Sequence, residues 1–147
     1  MRSALRVAAL AASLAVLGPA ALIAQRQVVT AQGMNVTATL SPAIRVGDIL
    51  FLSGQLPTTR GADADTTIGG QTKSALEKIK TLVEAAGGTM ANVAKCTVFL
   101  VDVKDFGGMN SAYSSFWPKE PPARSTVVVA ALVAPAKLEI ECIASLK

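Results

Sequence analysis

The sequence predicts an α/β (α+β) domain in the order β-β-α-β-α-β-β, a mixed sheet with two helices on one face. Three observations carry that expectation. Two apolar runs, Ala43 to Val46 and Ile49 to Ser53, flank Gly47-Asp48, a pair suited to a two-residue hairpin turn. Leu76, Ile79, Leu82, Val83 and Ala86 recur at helical spacing, with Lys73, Glu77, Lys78, Lys80 and Glu84 on the opposite side. Leu138, Ile140, Cys142 and Ala144 alternate with Glu139 and Glu141, the period of a strand buried on one face.

In chain order, residues 1–24 read as a secretory signal. Arg2 and Arg6 precede an uncharged Ala/Leu/Val run that ends in small residues. Pro19 and those small residues favour a cleaved signal over a membrane anchor, so the chain is expected to be exported, to a periplasm, and to meet a membrane only through this segment. Residues 25–39 are polar and loosely patterned, an extended arm leading into a domain at 40–147. After the hairpin, Ser53-Gly54-Gln55 ends the second strand, and Gly54 allows a close backbone approach. The helix begins near Thr67 and is stopped by Gly87-Gly88. Val93 to Val101 is a strand, and Asp102 and Asp105 offer caps for a second helix, Phe106 to Trp117, closed by Pro118. Phe106, Met109, Tyr113 and Trp117 form an apolar stripe along it, a core pattern whose one polar member is Asn110. A buried asparagine needs partners, from a neighbouring loop or a ligand. Arg124 to Leu132 and Leu138 to Ser145 complete the set of strands. Two amphipathic helices cannot cover both faces of such a sheet, so a second subunit is expected on the other.

Composition excludes several chemistries. The 147 residues contain no histidine, which removes Ser-His-Asp and Cys-His catalysis and any histidine-containing zinc site. Cys96 and Cys142 are too few for a metal site. They read as two buried free thiols, with a disulfide as the alternative that export permits. The formal charge of +4 falls to +2 without Arg2 and Arg6, leaving 12 basic against 10 acidic side chains. With no lysine/arginine run and only 4% aromatic residues, nucleic acid is not an expected partner.

Pro121-Pro122-Ala123-Arg124-Ser125-Thr126 concentrates the chemistry. Two prolines stiffen the approach to Arg124, at the mouth of an apolar strand. A guanidinium placed there is costly unless paired or holding an anion. Either it grips a small anionic ligand, or Glu139 or Glu141 on an adjacent strand neutralises it.

Taken in order, Arg45 to Gln55, Leu76 to Gly87, Thr97 to Leu100, Asp105-Phe106, Met109-Asn110, Tyr113, Pro122 to Thr126 and Glu139 to Glu141 resemble the Rid (YjgF) family of reactive enamine/imine deaminases. The resemblance implies a chorismate-mutase-like fold, a homotrimer with clefts between subunits, and no cofactor or metal. It implies hydrolytic deamination of 2-aminoacrylate/2-iminopropionate-type intermediates to 2-keto acids and ammonia. A non-catalytic trimer binding small carboxylates in the same cleft is the alternative. By this resemblance Arg124 clamps the substrate carboxylate and Glu139 orients the attacking water. Ser53, Gly54, Asn110, Ser125 and Thr126 line the binding site. The chain departs from many deaminating members at Ala43, in a segment where they carry a tyrosine, and at Thr126, where a cysteine is common.

Overall fold

A computed structural model describes residues 25–61 and 64–147; the segment read as a secretory signal lies outside them. The strands are β1 (Arg26–Val29), β2 (Ala43–Val46), β3 (Ile49–Gln55), β4 (Val93–Leu100), β5 (Ala123–Val128) and β6 (Leu138–Ser145). The helices are α1 (Ile68–Ala85) and α2 (Phe106–Tyr113). They form one six-stranded mixed sheet in the order β1-β2-β3-β6-β4-β5. Only β4 and β5 run parallel, as expected of two strands joined by a helical crossover.

Each element follows from local chemistry. Gly47 takes the positive φ that the β2–β3 turn requires, at 59°. Thr67 caps α1 by accepting from the Gly70 N–H at 3.0 Å. At the other end the Gly88 N–H reaches the Val83 carbonyl at 2.9 Å and the Gly87 N–H the Glu84 carbonyl at 2.9 Å, the two bonds of a Schellman stop. Arg45 fastens the hairpin to this helix end through its own bonds to the Gly47 and Ala86 carbonyls. The buried side of α1, with Leu76, Ile79, Leu82 and Val83, packs on Leu50, Leu52, Val98, Ile140 and Ala144. Trp117 closes the end of this core and donates its indole N–H to the Met90 carbonyl at 2.8 Å.

Both helices lie on one face of the sheet. The opposite face exposes Ile49, Phe51, Val127 and Ile143, with Phe51 at 47% and Val127 at 45% accessibility. The pattern is what a sheet face awaiting another surface shows.

Several expectations need correction. The arm is not wholly irregular: Arg26–Val29 pairs antiparallel with β2 and forms one edge of the sheet. α2 stops at Tyr113 and gives way to a 3-10 turn over Ser114–Phe116, and β5 ends at Val128 rather than Leu132. Cys96 and Cys142 are not free thiols; they face each other across β4 and β6 and form a disulfide. β5 and β6 are not neighbours, because β4 lies between them. Ala43 is fully buried in the core.

Candidate functional site

Arg124 leads β5, the edge strand that two prolines keep extended. Register places it beside Cys96, which is fully buried beneath the helices, so its side chain rises on the helix-bearing face against α2. There the stripe of Phe106, Met109, Asn110 and Tyr113 receives it. Nη2 donates to Asn110 Oδ1 at 2.6 Å, and Nη1 points to Met109 Sδ at 3.8 Å. The guanidinium carbon lies 4.7 Å from the Tyr113 ring centroid and 5.9 Å from that of Phe106, within cation–π range. Among the described residues the ion pairs are Lys80–Glu77, Lys137–Asp105 and Lys147–Asp48, and none involves Arg124. A cavity of about 420 Å³ opens beside it, walled by Asn110, Tyr113, Trp117, Pro121 and Pro122.

The glutamate partner weighed from the sequence is therefore absent, for a reason of parity. Cys142, Cys96 and Arg124 lie side by side across β6, β4 and β5 and share the helix-bearing face. Glu139 and Glu141, one residue out of phase with Cys142 and Ile140, point to the open face.

Glu139 instead belongs with Ser53 and Gly54. The β3–β6 ladder slips between Leu52 and Gln55, and this bulge brings the Gly54 backbone against the Glu139 carboxylate. Burial, reinforced by the charge of Glu141, pushes the Glu139 carboxyl above its ordinary value. A Cβ at Gly54 would overlap the Glu139 carboxylate oxygen and lie 2.8 Å from its Cδ. Gly54→Ala is therefore expected to displace the Glu139 carboxylate while far-ultraviolet circular dichroism stays unchanged. The Ser53 hydroxyl donates to the Ser41 carbonyl at 2.7 Å, which ties the segment just before β2 to β3.

The other predicted positions divide likewise. Ser125 lies on the open face and accepts from Lys95 Nζ at 2.7 Å, a contact the sequence did not single out. Thr126 returns to the Arg124 face, where its hydroxyl is buried with no partner among the described residues. The Tyr113 hydroxyl is also buried and unpartnered, and burial pushes its pKa up to about 12 against the opposing pull of Arg124. Tyr113 is buried in the core, as its spacing predicted, and also faces Arg124, whereas Phe106, read as core, is exposed and flanks the guanidinium. Their shared spacing with Asn110 was the available signal.

One chain thus offers two half-sites: a cation beside a cavity, and, on the other face, a bulge glycine against a carboxylate of raised pKa. The fold is a mixed six-stranded sheet with two helices, and the two residue clusters lie on its opposite faces. The family model described as endoribonuclease L-PSP matches residues 30–146, and the chain belongs to this family, also called the YjgF, RutC or Rid family. It is 40% identical over 109 residues to Reactive Intermediate Deaminase A, chloroplastic, of Arabidopsis thaliana, spanning 72% of this chain and 58% of that protein. A RutC family protein of Pyrococcus horikoshii is 41% identical over 106 residues, 71% of this chain and 84% of its own. The crystal structure of E. coli TdcF with bound serine superposes with a TM-score of 0.75 at 31% identity, covering 81% of this chain and 98% of that one.

Proposed function

We propose that the protein hydrolyses reactive enamine/imine intermediates of the 2-aminoacrylate/2-iminopropionate type to 2-keto acids and ammonia. The observation that carries the reading is an arginine with no acidic partner among the described residues, beside an open cavity. The similarity to a reactive intermediate deaminase supports it.

Two half-sites facing opposite ways on one chain call for a second copy. A homotrimer in which the open sheet face of one subunit meets the Arg124 edge of the next would assemble the cleft. The exposed Phe51, Val127 and Ile143 support that contact. A solution mass three times that of the chain is the expected result by analytical ultracentrifugation.

In that cleft Arg124 grips the substrate carboxylate, with Ser53, Gly54, Asn110, Ser125 and Thr126 around the ligand. Protonation at C3, with loss of a proton from nitrogen to solvent, converts the enamine to the imine. Water then adds at C2, its oxygen forming the new C–O bond while the C=N electron pair moves to nitrogen. Glu139 takes the proton that water releases and returns it to nitrogen. As the carbinolamine collapses, its hydroxyl proton passes to nitrogen, the keto group forms and the C–N bond breaks, releasing ammonia. Binding the anion and placing the water supply much of the acceleration. The raised pKa of Glu139 suits a group that both takes and gives a proton.

As the base, Glu139 must be ionised. The rate at low substrate is therefore expected to climb with pH through a pKa above the ordinary 4.5 and then level off. Glu139→Gln should lower it by about 10² to 10⁴ and abolish that limb. Ammonia release from 2-aminoacrylate generated in place by a pyridoxal-phosphate lyase, followed across pH, checks both.

A non-catalytic carboxylate-binding trimer is the second reading, favoured by the Ser53 hydroxyl being already bonded to Ser41. It expects pyruvate to raise thermal stability with no ammonia released. The buried disulfide supports an exported location, outside the reducing cytoplasm.

A further inference from the structure

The Arg124 guanidinium is gripped without being neutralised. Its four neighbours on α2 are Asn110, Met109, Tyr113 and Phe106, and every one is uncharged. The rings attract a cation through their quadrupoles, and the amide supplies a short hydrogen bond at 2.6 Å. Neither cancels the charge as a carboxylate would.

Asn110 has a further consequence for the geometry. A guanidinium has only donors, so the Arg124 contact fixes the amide with Oδ1 toward the arginine. The amide nitrogen is then turned away, and it makes no hydrogen bond among the described residues. A neutral donor is thus held next to the cation, on a residue that borders the same cavity.

We infer that Asn110 is a positioning and specificity-determining residue: with the Phe106 and Tyr113 rings it fixes Arg124 while leaving the positive charge free for a small carboxylate. An aspartate at this position would hold the arginine more firmly and disable it. The inference rests on the carboxylate-binding reading of the site.

The test compares wild type, Asn110→Asp and Asn110→Ala as full chains, by thermal unfolding, calorimetric titration with pyruvate and steady-state ammonia release. Asn110→Asp is expected to unfold at or above the wild-type temperature, yet bind pyruvate at least tenfold more weakly and raise KM more than it lowers kcat. Asn110→Ala is expected to unfold lower and bind with intermediate affinity. Stability then runs Asp, Asn, Ala, while affinity runs Asn, Ala, Asp. A purely structural role would give the same order in both. Wild-type affinity in Asn110→Asp, or a fall in unfolding temperature that tracks its affinity, overturns the inference. If the wild type binds no pyruvate, the carboxylate reading fails and takes the selectivity claim with it. The order of unfolding temperatures separates that failure from failure of the neutral grip.

Discussion

Arg124→Ala lowers kcat/KM for 2-iminopropionate by about 10² to 10³, the expected result of removing a charged partner from a desolvated anion contact worth roughly 2–5 kcal/mol. The fold should survive, because Arg124 leads an edge strand and its contacts are one amide, one sulfur and two ring faces. Arg124→Lys keeps the charge but loses the planar fork, so it should recover only a small part of the rate. KM should rise in both variants. A fall in kcat as well would show that the clamp also aims C2 at the attacking water. Steady-state ammonia release and pyruvate titration measure these effects separately. Equal rates for wild type and Arg124→Ala would remove this residue from the mechanism.

The same residue shows how far a sequence reading extends. That Arg124 is fixed rather than mobile follows from Pro121-Pro122 and the apolar strand behind it, and the structure holds it through four contacts. What it faces does not follow. Alternation states which residues share a face within one strand, but relating two strands requires their order in the sheet. β4 enters between β5 and β6 through a parallel crossover, and that topology puts Arg124 and Glu139 on opposite faces. The pairing of Gly54 with Glu139 was hidden for a related reason. It depends on a one-residue bulge, which composition marks only by a glycine in a strand.

Elements whose signal is local were legible. The β2–β3 turn, the start of α1 near Thr67 and the Gly87-Gly88 stop each depend on contacts within a few residues. β1 was not, since Arg26–Val29 pairs only because β2 presents an open edge to it. The stripe on α2 was legible as a stripe. Its core role holds for Met109, Tyr113 and Trp117, but the contact of the Phe106 and Tyr113 rings with Arg124 was not legible, because rings that fill a core and rings that cradle a cation have the same spacing.

Replacing both Cys96 and Cys142 with alanine is expected to lower the unfolding temperature by on the order of 10–20 °C. The bond joins residues 46 apart in sequence, and restricting an unfolded loop of that length is worth about 4 kcal/mol in the chain-entropy description. For a chain of this size each kcal/mol shifts the midpoint by several degrees. Both sulfurs are tied in the disulfide, so a thiol reagent should find no free thiol in the native oxidised protein and two after unfolding and reduction. Calorimetry of the double variant decides the case, and a shift below about 2 °C would show that the cross-link is dispensable. The site should be affected much less than the stability. Cys96 is the register neighbour of Arg124, but the position of β5 is fixed by its ladder with β4 and by the α2 contacts, none of which involves the disulfide. Pyruvate affinity is therefore expected to stay within a factor of about three well below the lowered midpoint. A parallel loss of affinity and stability would instead show that β4 needs its tie to β6 to hold the Arg124 edge in place.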